Sequence, residues 1–111
     1  MESDPHPDPD PDRDGEQPIR ATVTVRGRVQ GVGFRWWTRA RALELGLVGH
    51  ARNTSDGRVE VVAQGPRAAV DRLVALLGEQ PSTARRPGEV SSVSAPLVSD
   101  PREGVTGFVE R

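Results

Sequence analysis

The 111-residue sequence contains no cysteine, no lysine and no tyrosine. The absence of cysteine excludes disulfides, a thiolate nucleophile and cysteine-bound metal. The absence of lysine excludes a Walker A loop, whose lysine reaches the terminal phosphates of a nucleotide. The chain has only two histidines, His6 and His50, so a histidine metal cluster or a supported catalytic triad cannot be assembled.

Long apolar runs are also missing from the sequence. No stretch approaches the roughly 20 apolar residues that a helix needs to span a bilayer. The N-terminal segment lacks the apolar stretch of a signal peptide. We therefore expect a soluble cytoplasmic protein.

The first 18 residues differ in composition from the rest, because they hold seven acidic residues against one arginine and alternate Pro with Asp. Such a segment has too little apolar surface to bury, so we predict a disordered acidic Pro/Asp tail over residues 1–18. Residues 19–111 then form one small domain. This domain is basic, with fourteen arginines against nine acidic residues, and a basic surface attracts phosphates of any kind.

The local patterns predict the order βαββαβ with an extra C-terminal strand. The predicted elements are a strand at 20–26, a helix at 34–45, strands at 47–53 and 58–64, a helix at 66–78, and strands at about 89–98 and 107–109. This order predicts an α+β fold, an α/β sandwich of ferredoxin-like type with two helices on one face of a mainly antiparallel sheet. Trp36 falls on the predicted apolar stripe of the first helix, so we expect it in the core.

Residues 27–35, which read GRVQGVGFR, are the most informative segment of the chain. Gly31 and Gly33 allow sharp turns and present bare N–H groups, and the predicted helix begins directly after them. A helix N-terminus favours an anion through its free N–H groups and its macrodipole, and Arg35 adds a charged fork of donors. The segment thus predicts a site for a phosphoryl group. A dinucleotide-binding fingerprint is excluded, because Trp36 stands where its third glycine is required.

Residues 25–35 resemble the first signature of the acylphosphatase family in full. The second signature of that family is matched by Gly49, His50, Ala51, Arg52 and Asn53, followed by Gly57, Val59 and Gly65. The resemblance extends over residues 20–111, and one departure is His50, at a position that is usually a large aromatic residue.

This resemblance implies the roles of the site residues. By it, Arg35 is the catalytic arginine that binds the phosphate, and Asn53 positions the attacking water. The same resemblance implies that the loop supplies phosphate-binding groups from Gln30, Gly31, Val32, Gly33, Phe34 and Arg35. No metal site is implied.

The activity implied is hydrolysis of the carboxyl-phosphate mixed anhydride of small acyl phosphates, without a cofactor. A carboxylate leaving group, with a conjugate-acid pKa of about 4, needs no general acid. Phosphoryl transfer passes through a loose transition state that positioning and charge can stabilise. Substrate oxygens can take the proton of the water, which explains why no obvious general base accompanies Arg35 and Asn53. We expect a small acyl phosphate as the only partner, with no nucleic acid and no membrane, and a monomeric protein.

Two alternatives remain at this point. The chain could be a non-catalytic phosphate- or nucleic-acid-binding ferredoxin-like module, although Phe108 is the only aromatic residue on a predicted strand that a base could stack on. It could also resemble the carbamoyl-phosphate-handling domain at the front of large hydrogenase-maturation proteins, which shares the chemistry. Without the signatures, Asn53 would be interpreted as a structural residue before a turn. His50 is expected to have a packing or strand-face role.

Overall fold

The computed structural model describes residues 15–111, so residues 1–14 of the predicted acidic tail lie outside the described residues. The elements in chain order are β1 (Pro18–Arg28), α1 (Phe34–Glu44), β2 (Val48–Asn53), β3 (Val59–Pro66), α2 (Arg67–Gly78), β4 (Glu89–Val93), β5 (Leu97–Ser99) and β6 (Phe108–Glu110). Strand β1 includes the last residue of the predicted tail, and the N–H of Arg67 donates to the main-chain oxygen of Gln17 at 3.0 Å. Within residues 15–111, neither α1 nor α2 has the length and apolar character that a membrane-spanning helix requires.

The strands form one sheet in the order β4-β1-β3-β2-β6, with β5 also paired to β1. Strand β1 pairs antiparallel with β3 from Pro18 opposite Pro66 to Val25 opposite Val59. Strands β2 and β3 form the predicted antiparallel hairpin, whereas β2 and β6 pair in parallel. The ferredoxin-like α+β fold with a mainly antiparallel sheet is therefore confirmed.

A single hydrophobic core lies between the two helices and one face of the sheet. Alternate residues of β1 and β3 are buried on this face, as expected for strands that cover a core on one side. The core joins Ala21, Val23 and Val25 of β1, Val59, Val61 and Ala63 of β3, Phe34 and Trp37 of α1, and Val70, Leu73, Leu76 and Leu77 of α2. Neither α1 nor α2 covers the opposite face of the sheet, which is called the open face below.

The strand predicted at about 89–98 is divided in two. Strand β4 pairs with the second half of β1, and β5 pairs with Arg20–Thr22 near its start. Between them, Pro96 has no N–H to give to a ladder. Ser94 keeps this segment bound to β1. Its hydroxyl accepts a hydrogen bond from the N–H of Thr24 at 2.8 Å, and its own N–H donates to the main-chain oxygen of Thr24 at 2.9 Å.

The prediction that Trp36 lies in the core is wrong. Trp36 is 63 % exposed, whereas Trp37 is only 4 % exposed, and the indole N–H of Trp37 donates to the main-chain oxygen of Ala84 at 2.7 Å. The buried stripe of α1 comprises Phe34, Trp37, Thr38 and Ala42. The charged Arg41 next to this stripe makes the stripe hard to recognise in the sequence. In the structure its guanidinium lies over the Trp37 ring, 5.9 Å from the centroid.

The two adjacent tryptophans allow a matched test of this packing. We expect Trp37→Phe to lower the free energy of unfolding by about 1–3 kcal/mol, because it removes a buried hydrogen bond and leaves space unfilled. The same change at the exposed neighbour, Trp36→Phe, should stay within about 0.5 kcal/mol of the wild type. Urea unfolding of both variants measures the difference, and equal losses would contradict the assignment of the buried face.

Candidate active site

The loop between β1 and α1 is shaped by two glycines with left-handed backbone. Gly31 has φ of 74° and Gly33 has φ of 87°. No atom lies within 4 Å of the place where a Cβ would sit at either position, so the backbone angle rather than crowding requires glycine. Left-handed residues separated by one of negative φ are typical of backbone nests that turn successive N–H groups toward an anion.

The N–H groups of this loop are available to a ligand. Gly33 is the N-cap of α1, without a side-chain cap, and no acidic residue occupies the first turn. Among residues 15–111, no main-chain oxygen accepts a hydrogen bond from the N–H groups of residues 31–35. The positive end of the helix dipole and a set of free donors therefore coincide at one place.

The side chain of Gln30 ties this loop to the β2–β3 hairpin. Its Nε2 donates to the main-chain oxygens of Thr54 at 2.9 Å and of Arg58 at 2.8 Å. Because Thr54 follows Asn53 directly, this pair of hydrogen bonds brings the glycine loop beside the end of β2. The resemblance implied that Gln30 binds phosphate, which stays a prediction. In the structure its side chain fixes the position of the loop against the hairpin.

Arg35 and Asn53 meet at one main-chain oxygen, that of Arg111. Nη1 of Arg35 donates to this oxygen at 2.7 Å, and the N–H of Asn53 donates to it at 3.3 Å. The N–H of Arg111 in turn donates to the main-chain oxygen of Ala51 at 2.7 Å, which continues the pairing of β2 with β6. The structure thus brings together the two residues that the sequence singled out as catalytic.

The amide oxygen of Asn53 is buried and has no hydrogen-bond partner among the described residues. An unpaired buried acceptor costs about 1–3 kcal/mol, so such groups in folded proteins need an explanation. An O–H donor from a bound molecule would satisfy it. The hydrogen bond from Gln30 to the main-chain oxygen of Thr54 places this asparagine at the end of β2, next to the glycine loop.

His50 lies on the other side of the sheet. Side chains alternate along a strand, so His50 points to the open face while its neighbour Ala51 is buried in the core. Its Nε2 is 3.9 Å from Oε1 of Glu60. The predicted strand-face position of His50 is therefore observed, and the residue does not face Arg35.

Burial lowers the pKa of His50, and the nearby positive charge of Arg111 lowers it further, with smaller effects of Arg20 and Arg52, while Glu60 acts in the opposite direction. The unfolded chain therefore binds more protons than the folded one between the lowered pKa and the ordinary value of about 6.5. We expect the free energy of unfolding to fall as the pH drops below about 6.5. Urea unfolding over a pH series, with His50→Gln as control, tests this, since the variant should lose that part of the dependence.

Comparison with known proteins agrees with the two signatures. The acylphosphatase family model matches residues 21–109. This chain belongs to the acylphosphatase family. The match includes both segments whose resemblance was noted in the sequence, and the recognition is thereby confirmed.

Similar acylphosphatases include curated proteins and solved structures. The acylphosphatase of Mycolicibacterium vanbaalenii is 55 % identical over 97 residues, which is 87 % of this chain and 99 % of that protein. That of Corynebacterium efficiens is 60 % identical over 93 residues, covering 84 % of this chain and 92 % of that one. The crystal structure of acylphosphatase from Bacillus subtilis superposes with a TM-score of 0.70 at 31 % identity, covering 84 % of this chain and 98 % of the other.

The sequence did not reveal the part played by Arg111 in this acylphosphatase-like site. Its contribution to Arg35 and Asn53 is a main-chain oxygen, and every residue carries one, so no residue type marks it. The available signal was indirect: a short final strand at the end of the chain. The side chain of Arg111 lies elsewhere, against a cavity on the open face.

Proposed function

We propose that this protein hydrolyses small acyl phosphates to a carboxylate and inorganic phosphate by direct attack of water on phosphorus. The observation that carries the mechanism concerns Asn53: its buried amide oxygen has no hydrogen-bond partner among the described residues, and its N–H shares the main-chain oxygen of Arg111 with Arg35. Membership of the acylphosphatase family supports the reaction type.

In this proposal the phosphoryl group lies in the loop formed by residues 30–34. Its oxygens accept hydrogen bonds from backbone N–H groups at the start of α1 and from the guanidinium of Arg35. One nitrogen of Arg35 is held by the oxygen of Arg111, which orients the group and leaves its other donors for substrate. The backbone N–H groups and the guanidinium are held in place, so they stabilise the negative charge on the equatorial phosphoryl oxygens in the transition state.

Asn53 orients the nucleophile. Its amide oxygen accepts one O–H of the water, and a lone pair of the water then points to phosphorus. As the new P–O bond forms, the bond between phosphorus and the carboxyl oxygen breaks, and the carboxylate departs without needing a proton. The proton of the water passes to a phosphate oxygen, so no side-chain base is required.

Labelled water tests the position of attack. With benzoyl phosphate as substrate in ¹⁸O-water, we expect one labelled oxygen in each inorganic phosphate and none in benzoate. Mass spectrometry of both products measures this. Label in the benzoate would show attack at the carbonyl carbon and would contradict the proposal.

Removal of metal tests the electrostatic part of the mechanism. No group of three or more His, Cys, Asp or Glu residues within 15–111 is arranged to hold a metal ion. Because Arg35 and the loop N–H groups carry the stabilisation, we expect the hydrolysis rate to be unchanged by exhaustive chelation. A loss of rate that added magnesium restores would overturn the metal-free mechanism.

We propose further that the protein acts in the cytoplasm as a monomer, with no nucleic acid or membrane as partner. The competing RNA-binding interpretation requires aromatic side chains on an accessible sheet face. In the described strands the aromatic residue is Phe108, which is buried in the core. The non-catalytic module is therefore not favoured.

A further inference from the structure

The open face of the sheet holds a cavity of about 380 Å³ that the mechanism above does not use. It lies between the paired strands β1 to β3 and the segment that connects β5 to β6, and we call it the sheet-face pocket. The residues with basic side chains that line it are Arg20, His50, Arg102 and Arg111. Neither the loop of residues 30–34 nor Asn53 lines it, and the residue it shares with the candidate active site is Arg111, whose main-chain oxygen binds Arg35.

The walls of the sheet-face pocket are held together by Gln64 of β3. Its Oε1 accepts the N–H of Arg102 at 2.9 Å and Nη1 of Arg20 at 3.1 Å. Its Nε2 donates to the main-chain oxygen of Arg102 at 2.9 Å. One side chain thus fixes both the connecting segment and the guanidinium of Arg20, so the pocket is formed in advance of any ligand.

The pocket gathers positive charge, and Glu60, which lies 3.9 Å from Nε2 of His50, is paired more closely with Arg52 at 3.2 Å. Arg20 is only 8 % exposed, and among residues 15–111 no Asp or Glu forms an ion pair with Arg20, Arg102 or Arg111. Burial lowers the pKa of Arg20, and repulsion from Arg102 and Arg111 lowers it further. A buried guanidinium that lines one cavity with two further arginines is unfavourable unless an anion balances the charge.

We propose that the sheet-face pocket binds a phosphoryl dianion through Arg20, Arg102 and Arg111, either as free phosphate or as a small phosphate monoester. Guanidinium groups donate in pairs to phosphate oxygens, and three of them match a tetrahedral dianion better than a single carboxylate. The cavity volume lies within the range of small-molecule sites, which run from roughly 300 to 1,000 Å³.

Two-dimensional amide NMR of the full chain tests this site separately from the active site. The probes are inorganic phosphate and glycerol 3-phosphate. We expect the amide signals of Gly49, Gly104 and Thr106 to shift with saturation, at a Kd distinct from that of residues 31–35. Tighter binding of the ester at the pocket would assign an organic ligand, and equal binding would assign free phosphate.

Two arginine variants make the test specific. Arg102→Ala should weaken binding at the pocket roughly tenfold and leave the Kd at residues 31–35 unchanged. Arg102 is exposed and holds Gln64 only through main-chain atoms, so the variant keeps the pocket wall in place. The control Arg72→Ala removes the same charge from the exposed surface of α2 and should change neither Kd.

The full 111-residue chain is used, so the site is tested in the protein as it exists. Pocket amides that do not shift with either probe would overturn the proposal. Equal weakening by Arg102→Ala and Arg72→Ala would also overturn it, since the effect would then reflect net charge alone.

Discussion

Arg35→Ala is expected to lower kcat for acyl phosphate hydrolysis by about 10³-fold or more. The guanidinium is the only charged group of the proposed site that touches the transferring phosphoryl oxygens, and an arginine in this role is worth roughly 10³ to 10⁵ in rate. Arg35→Lys keeps the charge but loses the paired donors, so we expect its kcat to lie between that of the wild type and that of Arg35→Ala. Steady-state kinetics with benzoyl phosphate measures both.

A matched control lies one turn further along the same helix. Arg39 is exposed, and its Nε donates to the main-chain oxygen of Phe108 at 2.9 Å, much as Arg35 binds that of Arg111. If Arg35 acted only by holding the C-terminal strand, Arg39→Ala would reduce the rate in the same way. We expect Arg39→Ala to stay within a few-fold of the wild type.

Asn53→Ala is expected to lower kcat by about 10²- to 10³-fold, as removal of one transition-state hydrogen-bonding group does in other enzymes. KM should change little, because the phosphoryl group keeps its own ligands. The free energy of unfolding should not fall, since the change deletes a buried acceptor that has no partner in the described chain. This combination of lost rate and retained stability separates a functional asparagine from a turn residue.

Ser55, exposed in the turn that follows Asn53, provides the control. Ser55→Ala alters the same hairpin without touching the proposed water, and we expect wild-type kinetics from it. Asn53→Asp keeps the size of the side chain but places a negative charge beside the phosphoryl group. We therefore expect its kcat to be lowered, as for Asn53→Ala. A rate for Asn53→Ala within about threefold of the wild type would remove Asn53 from the mechanism.

Much of the candidate site was predictable because local residue types determine it. The positive φ at positions 31 and 33 requires glycine, and Arg35 follows at the start of α1. The loop can therefore be recognised from a few neighbouring residues. The hairpin that presents Asn53 is similarly marked by its Asp-Gly turn. The proximity of the two segments is a tertiary property, and the family signatures rather than periodicity suggested it.

The remaining features depend on tertiary contacts that no local pattern encodes. Arg41 borders the buried stripe of α1, with its guanidinium over the Trp37 ring, so counting apolar letters selected the wrong face. The break before β5 depends on how Ser94 substitutes for a ladder contact with Thr24. The sheet-face pocket joins Arg20 to Arg102 through Gln64, residues that are far apart in the chain.

The central claim is that this chain cleaves a carboxyl-phosphate anhydride and not an ordinary phosphate ester. The most direct test compares the hydrolysis of benzoyl phosphate and phenyl phosphate by the same folded wild-type protein. The account predicts rapid release of phosphate from benzoyl phosphate and none detectable from phenyl phosphate, whose leaving group would need an acid that the proposed site lacks. A folded protein that is inert toward benzoyl phosphate, or that cleaves both compounds equally, would contradict it.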